Sequence, residues 1–238
     1  TTQKQRAMKR IYTIAFALVA LFAFSQNATA QKFGPKIGYN LSTIGVSGDN
    51  IVINGETVPA AALGTASNMT YGLFYKAKLV PMILDLQFEV NYDPRGTKLD
   101  YLFTYEDIQI PIELSMEYNY LTVPALLKAK LLFLYAEAGP YASFLLSAKD
   151  KASLTEGVEI PQSEEEDVKD NLKSTDFGFM LGAGIQLGLG PVYLMGGARY
   201  TMGMSEIYTD DYKTAYDMQD ISFKHHVWTF YAGIGFGL

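Results

Sequence analysis

Residues 222–238 read Ser-Phe-Lys-His-His-Val-Trp-Thr-Phe-Tyr-Ala-Gly-Ile-Gly-Phe-Gly-Leu and separate cleanly by parity. The even positions carry Trp228, Phe230, Ala232, Ile234, Phe236 and Leu238; the odd ones carry Val227, Thr229, Tyr231, Gly233, Gly235 and Gly237. Successive strand residues point to opposite faces, so the pattern predicts a strand with one continuous apolar face and one small, polar face. A long apolar strand with a bare edge invites aggregation. This one must therefore pair on both sides, and its apolar face must meet something apolar. The expectation is a closed barrel surrounded by lipid.

The same alternation predicts seven earlier strands. Phe33–Ile44 sets Phe33, Ile37, Tyr39 and Leu41 against Lys36, Gly38, Asn40 and Ser42. Thr70–Leu79 sets Tyr71, Leu73, Tyr75, Ala77 and Leu79 against Gly72, Phe74, Lys76 and Lys78. Met82–Tyr92 sets Met82 to Tyr92 on even positions against Asp85, Gln87, Glu89 and Asn91. Tyr118–Leu131 follows, with Thr122, Pro124, Lys128 and Lys130 on its polar face, and Pro124 predicts a bulge or a local break in pairing because it lacks a donor. The fifth strand ends near Ala148 and carries Glu137; the sixth spans Thr175–Leu189; the seventh spans Val192–Met202 and carries Arg199.

The connections alternate in length. Those at 45–69, 93–117, 149–173 and 203–221 are long, whereas Val80-Pro81, Leu131-Leu132 and Gly190-Pro191 are tight turns. Short periplasmic turns and long external loops are the outer-membrane barrel pattern, and connections of such length are otherwise uncommon in a compact domain. The alternating segment near Ile108–Leu114 predicts strands that rise beyond the membrane. No apolar face holds a charge, while the opposite faces hold Lys36, Lys76, Lys78, Asp85, Glu89, Lys128, Lys130, Glu137 and Arg199 among many glycines. Glycine suits the crowded interior of a small barrel, so the polar faces are expected to look inward. A soluble lipid-binding barrel would reverse this arrangement. The predicted fold is all-β: an eight-stranded antiparallel up-and-down transmembrane β-barrel preceded by a cleaved signal peptide.

The first thirty residues fit the targeting role. Lys4, Arg6, Lys9 and Arg10 precede an apolar run from Ile11 to Phe24, and Ala28-Thr29-Ala30 offers the small residues a signal peptidase reads. Cleavage is expected after Ala30, leaving residues 31–238 as the barrel domain. The competing reading, an anchor helix, is disfavoured because the run falls short of the roughly twenty residues a span needs. Met8 offers an alternative start. Loss of the segment leaves 15 basic residues against 25 acidic ones, a formal net of −10 that argues against nucleic acid. The absence of cysteine excludes disulfides, thiol catalysis and thiolate metal sites.

Ala28-Thr-Ala-Gln31, Phe33-Gly-Pro-Lys-Ile-Gly-Tyr-Asn-Leu41, Tyr120-Leu-Thr-Val-Pro-Ala-Leu-Leu-Lys128, Ala138-Gly-Pro-Tyr141 and Gly182-Ala-Gly184 resemble the PorT-like outer-membrane β-barrel proteins of Bacteroidota. The resemblance covers the mature chain and implies an eight-stranded barrel in the outer membrane. The name-giving member is associated with protein secretion, a role no residue here singles out. Phe236-Gly-Leu238 also looks like the terminal signal read by barrel-assembly machinery.

Four constellations remain. The inward charges are read as a mutually paired structural network, because burying unpaired charge is costly; the alternative is a narrow, anion-favouring conduit for small solutes. The four loops carry formal nets of −2, −4, −4 and −4, which marks them as solvated surface or as a site for a basic extracellular partner or for cations shared with lipopolysaccharide. Glu164–Asp167 lacks the spacing and glycine of an EF-hand. Tyr101, Tyr105, Tyr118, Tyr120, Tyr200, Tyr208 and Tyr231 are expected to supply part of the interfacial aromatic girdle. His225-His226 is the one enzyme candidate, but adjacent strand residues face opposite ways, so an ordinary interfacial pair is expected. No nucleophile elbow, HExxH, Walker motif or GxGxxG occurs. The sequence thus predicts a non-enzymatic structural or interaction protein with no cofactor or metal, in contact with outer-membrane lipid, lipopolysaccharide and the assembly machinery.

Overall fold

The computed structural model describes residues 31–47, 51–53, 56–58, 63–105, 108–154, 165–216, 218 and 220–237. Eight long strands form the wall: β1 (Lys32–Ser47), β4 (Leu63–Val80), β5 (Leu84–Tyr105), β6 (Ile108–Leu131), β7 (Leu134–Leu154), β9 (Thr175–Leu189), β10 (Val192–Gly203) and β11 (Ser222–Gly237). Each pairs antiparallel with its sequence neighbour, and β1 pairs with β11 to close the barrel. Two short strands, β2 (Ile51–Ile53) and β3 (Glu56–Val58), form a separate hairpin, and β8 (Glu165–Asp167) adds to the rim of β7. The eight-stranded up-and-down barrel expected from parity is the fold.

The inward and outward faces also fall as the alternation predicts. Ile37, Tyr71, Leu73, Phe177, Leu181, Trp228 and Phe230 are exposed on the outer wall, while Lys36, Glu89, Lys128, Glu137 and Arg199 are buried inside. On β9, Gly184 makes room for the interior: a Cβ there would lie 2.5 Å from the Tyr135 hydroxyl. The three tight turns fall at Pro81–Ile83, Leu132–Phe133 and Gly190–Pro191. Met82, expected at a strand start, is a turn residue with φ 67°, and Leu132 has φ 57°.

The strands are longer than predicted on the side of the long loops. Residues 93–105 and 115–117, expected mostly as loop, continue β5 and β6 as one paired ladder, and the alternating segment at Ile108–Leu114 extends β6 as expected. Residues 149–154 continue β7, and part of the acidic run pairs back on it through Lys149↔Asp167. At Pro124 the expected local break in pairing is seen rather than a bulge: the β5–β6 ladder passes from Phe88↔Ala125 to Asn91↔Thr122 without a register shift, and β6 shifts against β7 at Asn119/Tyr120. The expected signal peptide, residues 1–30, lies outside the described residues, as does Leu238.

Candidate functional site

The lumen is filled by four layers of side chains. Nearest the tight turns, Phe74, Tyr135, Tyr193, Met195 and Tyr231 pack as a buried cluster. Lys76 lies over the Tyr193 ring at 3.6 Å and pairs with Asp85 at 3.2 Å, and Asp85 also takes Lys130 at 2.7 Å. Lys128 sits over Tyr135 at 3.9 Å.

The second layer is centred on Arg199. Its Nε donates to Glu137 at 2.7 Å, and its two terminal nitrogens donate to the two oxygens of Glu89 at 2.9 Å each. Glu89 also accepts from Lys36, Gln87 and Asn91. Glu137 pairs with Lys128 at 3.1 Å and accepts from the Tyr231 hydroxyl at 2.7 Å. Every carboxylate here has a cation and further donors, which is the condition under which a buried charge is tolerated.

The third layer was missed at sequence level. Arg95, wholly buried, donates to Asp93 at 2.8 Å and to Asp176 at 2.6 Å, and it also reaches Thr122 and Ser143. Tyr141 and Ser205 donate to Asp176, and Asn40 donates to Asp93. The signal was present: Asp85, Gln87, Glu89, Asn91, Asp93, Arg95 and Thr97 share one parity. The outer apolar face ends near Tyr92, where the wall leaves the lipid, but the inner polar face runs on.

Of the nine residues expected in the lumen network, the structure joins eight. Lys36, Lys76, Asp85, Glu89, Lys128, Glu137 and Arg199 are buried, and Lys130 joins through Asp85. Lys78 is half-buried and makes no ion pair among the described residues. With Asp93, Arg95 and Asp176 added, five carboxylates face six cations. The basic excess that suggested an anion path is thereby reduced to near balance.

The fourth layer is an apolar lid at the long-loop end. Ile44, Tyr118, Tyr120, Leu145, Ala148, Leu172, Ile207 and Phe223 form one buried cluster. Leu172 and Ile207 come from connecting segments folded inward: Leu172 bridges to Tyr208, Lys173 N donates to Ile207 O at 2.8 Å, and Ile207 N donates to Phe223 O at 3.1 Å. The short helix α1 (Asp210–Ala215) follows, its start capped by the Thr209 hydroxyl accepting from Tyr212 N. Glu206 fastens this segment by accepting from Ser222, from Phe223 N at 3.3 Å and from Lys213 at 3.2 Å. Partial burial pushes its carboxyl up, but these donors outweigh burial and hold it below the ordinary glutamate range.

The barrel wall divides the histidine pair. His225 is fully buried inside, with its Nε2 3.1 Å from the Tyr120 hydroxyl. His226 faces outward and meets the Tyr200 hydroxyl at 2.7 Å. Ser205 donates to Asp176 rather than to a histidine, so no nucleophile–base pair forms there. The tyrosine expectation needs correction: Tyr118, Tyr120 and Tyr231 are interior and Tyr208 packs on the lid. Tyr200 does face outward, joined by Tyr39, Tyr71 and Trp228. The side chains of Tyr101 and Tyr105 lie outside the described residues.

A closed antiparallel wall with an apolar outside and a paired, polar inside is a transmembrane β-barrel of the outer membrane. The family model for the outer membrane protein beta-barrel domain matches residues 24–209, and the chain belongs to that family. Among solved structures the chain is similar to Ail, the attachment invasion locus protein of Yersinia pestis, at 15% identity and TM-score 0.38, covering 88% of this chain and 99% of that one. It is similar to OprG from Pseudomonas aeruginosa at 11% identity and TM-score 0.43, covering 89% and 97%. It is also similar to the outer membrane protease OmpT from Escherichia coli at 8% identity and TM-score 0.43, covering 89% and 98%. No curated protein matches by sequence.

Proposed function

We propose that this outer-membrane barrel is a non-enzymatic, non-conducting protein that acts through its extracellular surface in a structural or interaction role. The observation that carries the reading is the filled lumen. The Arg199 and Arg95 networks cross it at two levels, the Tyr135–Tyr193–Tyr231 cluster fills one end, and the lid around Leu172 and Ile207 covers the other. An eight-stranded barrel leaves an interior just wide enough for side chains, and here they occupy it. The histidine pair, split across the wall, supports the non-enzymatic half.

The acidic loops are then the working surface, suited to a basic extracellular partner. A secretion-associated role of the PorT-like kind is the finer form of this proposal. Reconstitution into planar lipid bilayers tests it. A closed barrel gives no discrete current steps under applied voltage. Steps of reproducible size would instead establish a narrow conduit for small solutes.

A further inference from the structure

The outer face of β11 runs from a cation to a groove. Lys224, His226, Trp228, Phe230, Ala232 and Ile234 share that face. At the extracellular end the His226 and Tyr200 rings stack, with centroids 6.0 Å apart and planes at 17°. Trp228 lies against Tyr200 at 5.0 Å. Gly45 stands opposite Lys224 on β1, and a Cβ there would lie 2.6 Å from His226 Nε2, so glycine makes room for the histidine ring beside Lys224. Lys224 makes no ion pair among the described residues.

Deeper in the wall, a groove of about 660 Å³ opens across β4, β1 and β11, lined on its outer side by Pro35, Ile37, Tyr71, Leu73, Ala232 and Ile234. From His226 to Ala232 is six residues, about 20 Å along a strand. At a strand tilt of about 40° that is about 15 Å of depth, half of a hydrocarbon core of about 30 Å. The groove therefore lies one acyl chain's length below the histidine.

We propose that this face binds a phosphorylated acyl lipid of the outer leaflet, lipopolysaccharide, with phosphate on Lys224 and His226 and one acyl chain laid past Phe230 into the groove. Lysine supplies a point charge for phosphate. Tyr200 and Trp228 hold the headgroup boundary, where amphipathic rings prefer to lie. The site rests on the outer-membrane placement of the chain and is independent of whether the lumen conducts.

Trp228 is the chain's single tryptophan, so its emission reports on the site directly. The folded barrel in a neutral detergent is titrated with diphosphoryl lipid A and, separately, with the same lipid after dephosphorylation. The expected result is a saturable change with the phosphorylated lipid and binding about tenfold weaker without phosphate, the worth of one charge-assisted contact. Lys224→Ala with His226→Ala weakens the phosphorylated lipid by a similar factor, and Lys224→Arg retains binding. Ala232→Phe, which fills the groove, weakens both lipids. Folding of each variant is read from heat-modifiable migration. Equal binding of the two lipids, or wild-type binding by either Lys224→Ala or Ala232→Phe, would overturn the site and leave an unselective lipid belt.

Discussion

Arg199 and Glu89 meet across the full diameter of the barrel. Arg199 stands on β10 and Glu89 on β5, with three strands between them in either direction around the wall. Two bonds of 2.9 Å join the guanidinium to the carboxylate. Tyr120 on β6 and His225 on β11 repeat the same diametric relation nearer the lid. The interior thus ties opposite walls together rather than lining a passage.

Removing Arg199 should cost more than any wall substitution. Arg199→Ala leaves Glu89 and Glu137 buried with Lys36 and Lys128 as their remaining cations. Breaking one side of such a pair costs about 3–5 kcal/mol. Adding Glu89→Gln to Arg199→Met also strips buried Lys36 of its carboxylate and should deepen the loss. Urea unfolding followed by Trp228 emission measures both; equal stability of Arg199→Ala and wild type would show the network to be dispensable.

Tyr120 and His225 should respond unequally. Tyr120→Phe deletes one hydrogen bond, worth about 0.5–1.5 kcal/mol. His225→Ala leaves the Tyr120 hydroxyl without its partner and opens a void, a loss of about 2–4 kcal/mol. Denaturant midpoints of the two variants give the order, and the reverse order would mean that the ring's packing contributes little.

How far the fold could be read from the chain follows from which face meets lipid. β9 and β11 were legible to within a residue because their outer apolar rows run nearly their whole length. β5 was legible only up to the membrane edge: beyond Tyr92 the outer face turns polar and small, and the apolar alternation vanishes although the ladder continues to Tyr105, whereas on β6 the alternation at Ile108–Leu114 still marked the extension. Asp93 and Arg95 were consequently assigned to a loop. The lid escaped notice for a different reason. Leu172 and Ile207 are single apolar residues in polar stretches, and only the folded loop brings them to Ile44 and Phe223.

Glu206 makes the lid sensitive to acid. Its carboxyl is held below the ordinary glutamate value by Ser222, Phe223 N and Lys213. A depressed carboxyl stabilises above its unfolded value of about 4.3, and that contribution is lost as pH falls through the lower folded value. Hydrogen exchange across residues 205–216 should therefore quicken on acidification below about pH 4, while Glu206→Gln shows the fast rate already at neutral pH. Exchange unchanged by both would remove Glu206 as the fastener.

Leu132 occupies a left-handed turn conformation, φ 57°, that costs an L-residue about 1–2 kcal/mol. Its side chain is 86% exposed, so little packing offsets the strain. Leu132→Gly should raise the unfolding midpoint slightly or leave it unchanged, by at most about 1 kcal/mol after glycine's extra chain entropy. A marked drop would mean that the exposed leucine is held by the membrane boundary.

Deleting residues 230–238 removes the lower part of the β11 ladder to β1, from Tyr39↔Phe230 to Lys32↔Gly237. The truncated chain should fail to insert, giving no heat-modifiable band in membrane fractions. Normal insertion would place closure elsewhere.

The seam between β1 and β11 also dictates a timetable. Asn40 and Thr229, 189 positions apart, share a hydrogen bond of 2.8 Å inside the barrel. Loop-closure entropy must be met before so distant a contact is rewarded. The wall therefore cannot be completed strand by strand as the chain emerges. Until β11 arrives, every earlier strand carries a lipid-facing row through water, and the pool awaiting closure is the state most exposed to aggregation and proteolysis. Abundance in the membrane is then governed by how quickly the ends are brought together, and interior substitutions that leave the finished barrel sound can still deplete it by slowing that one encounter.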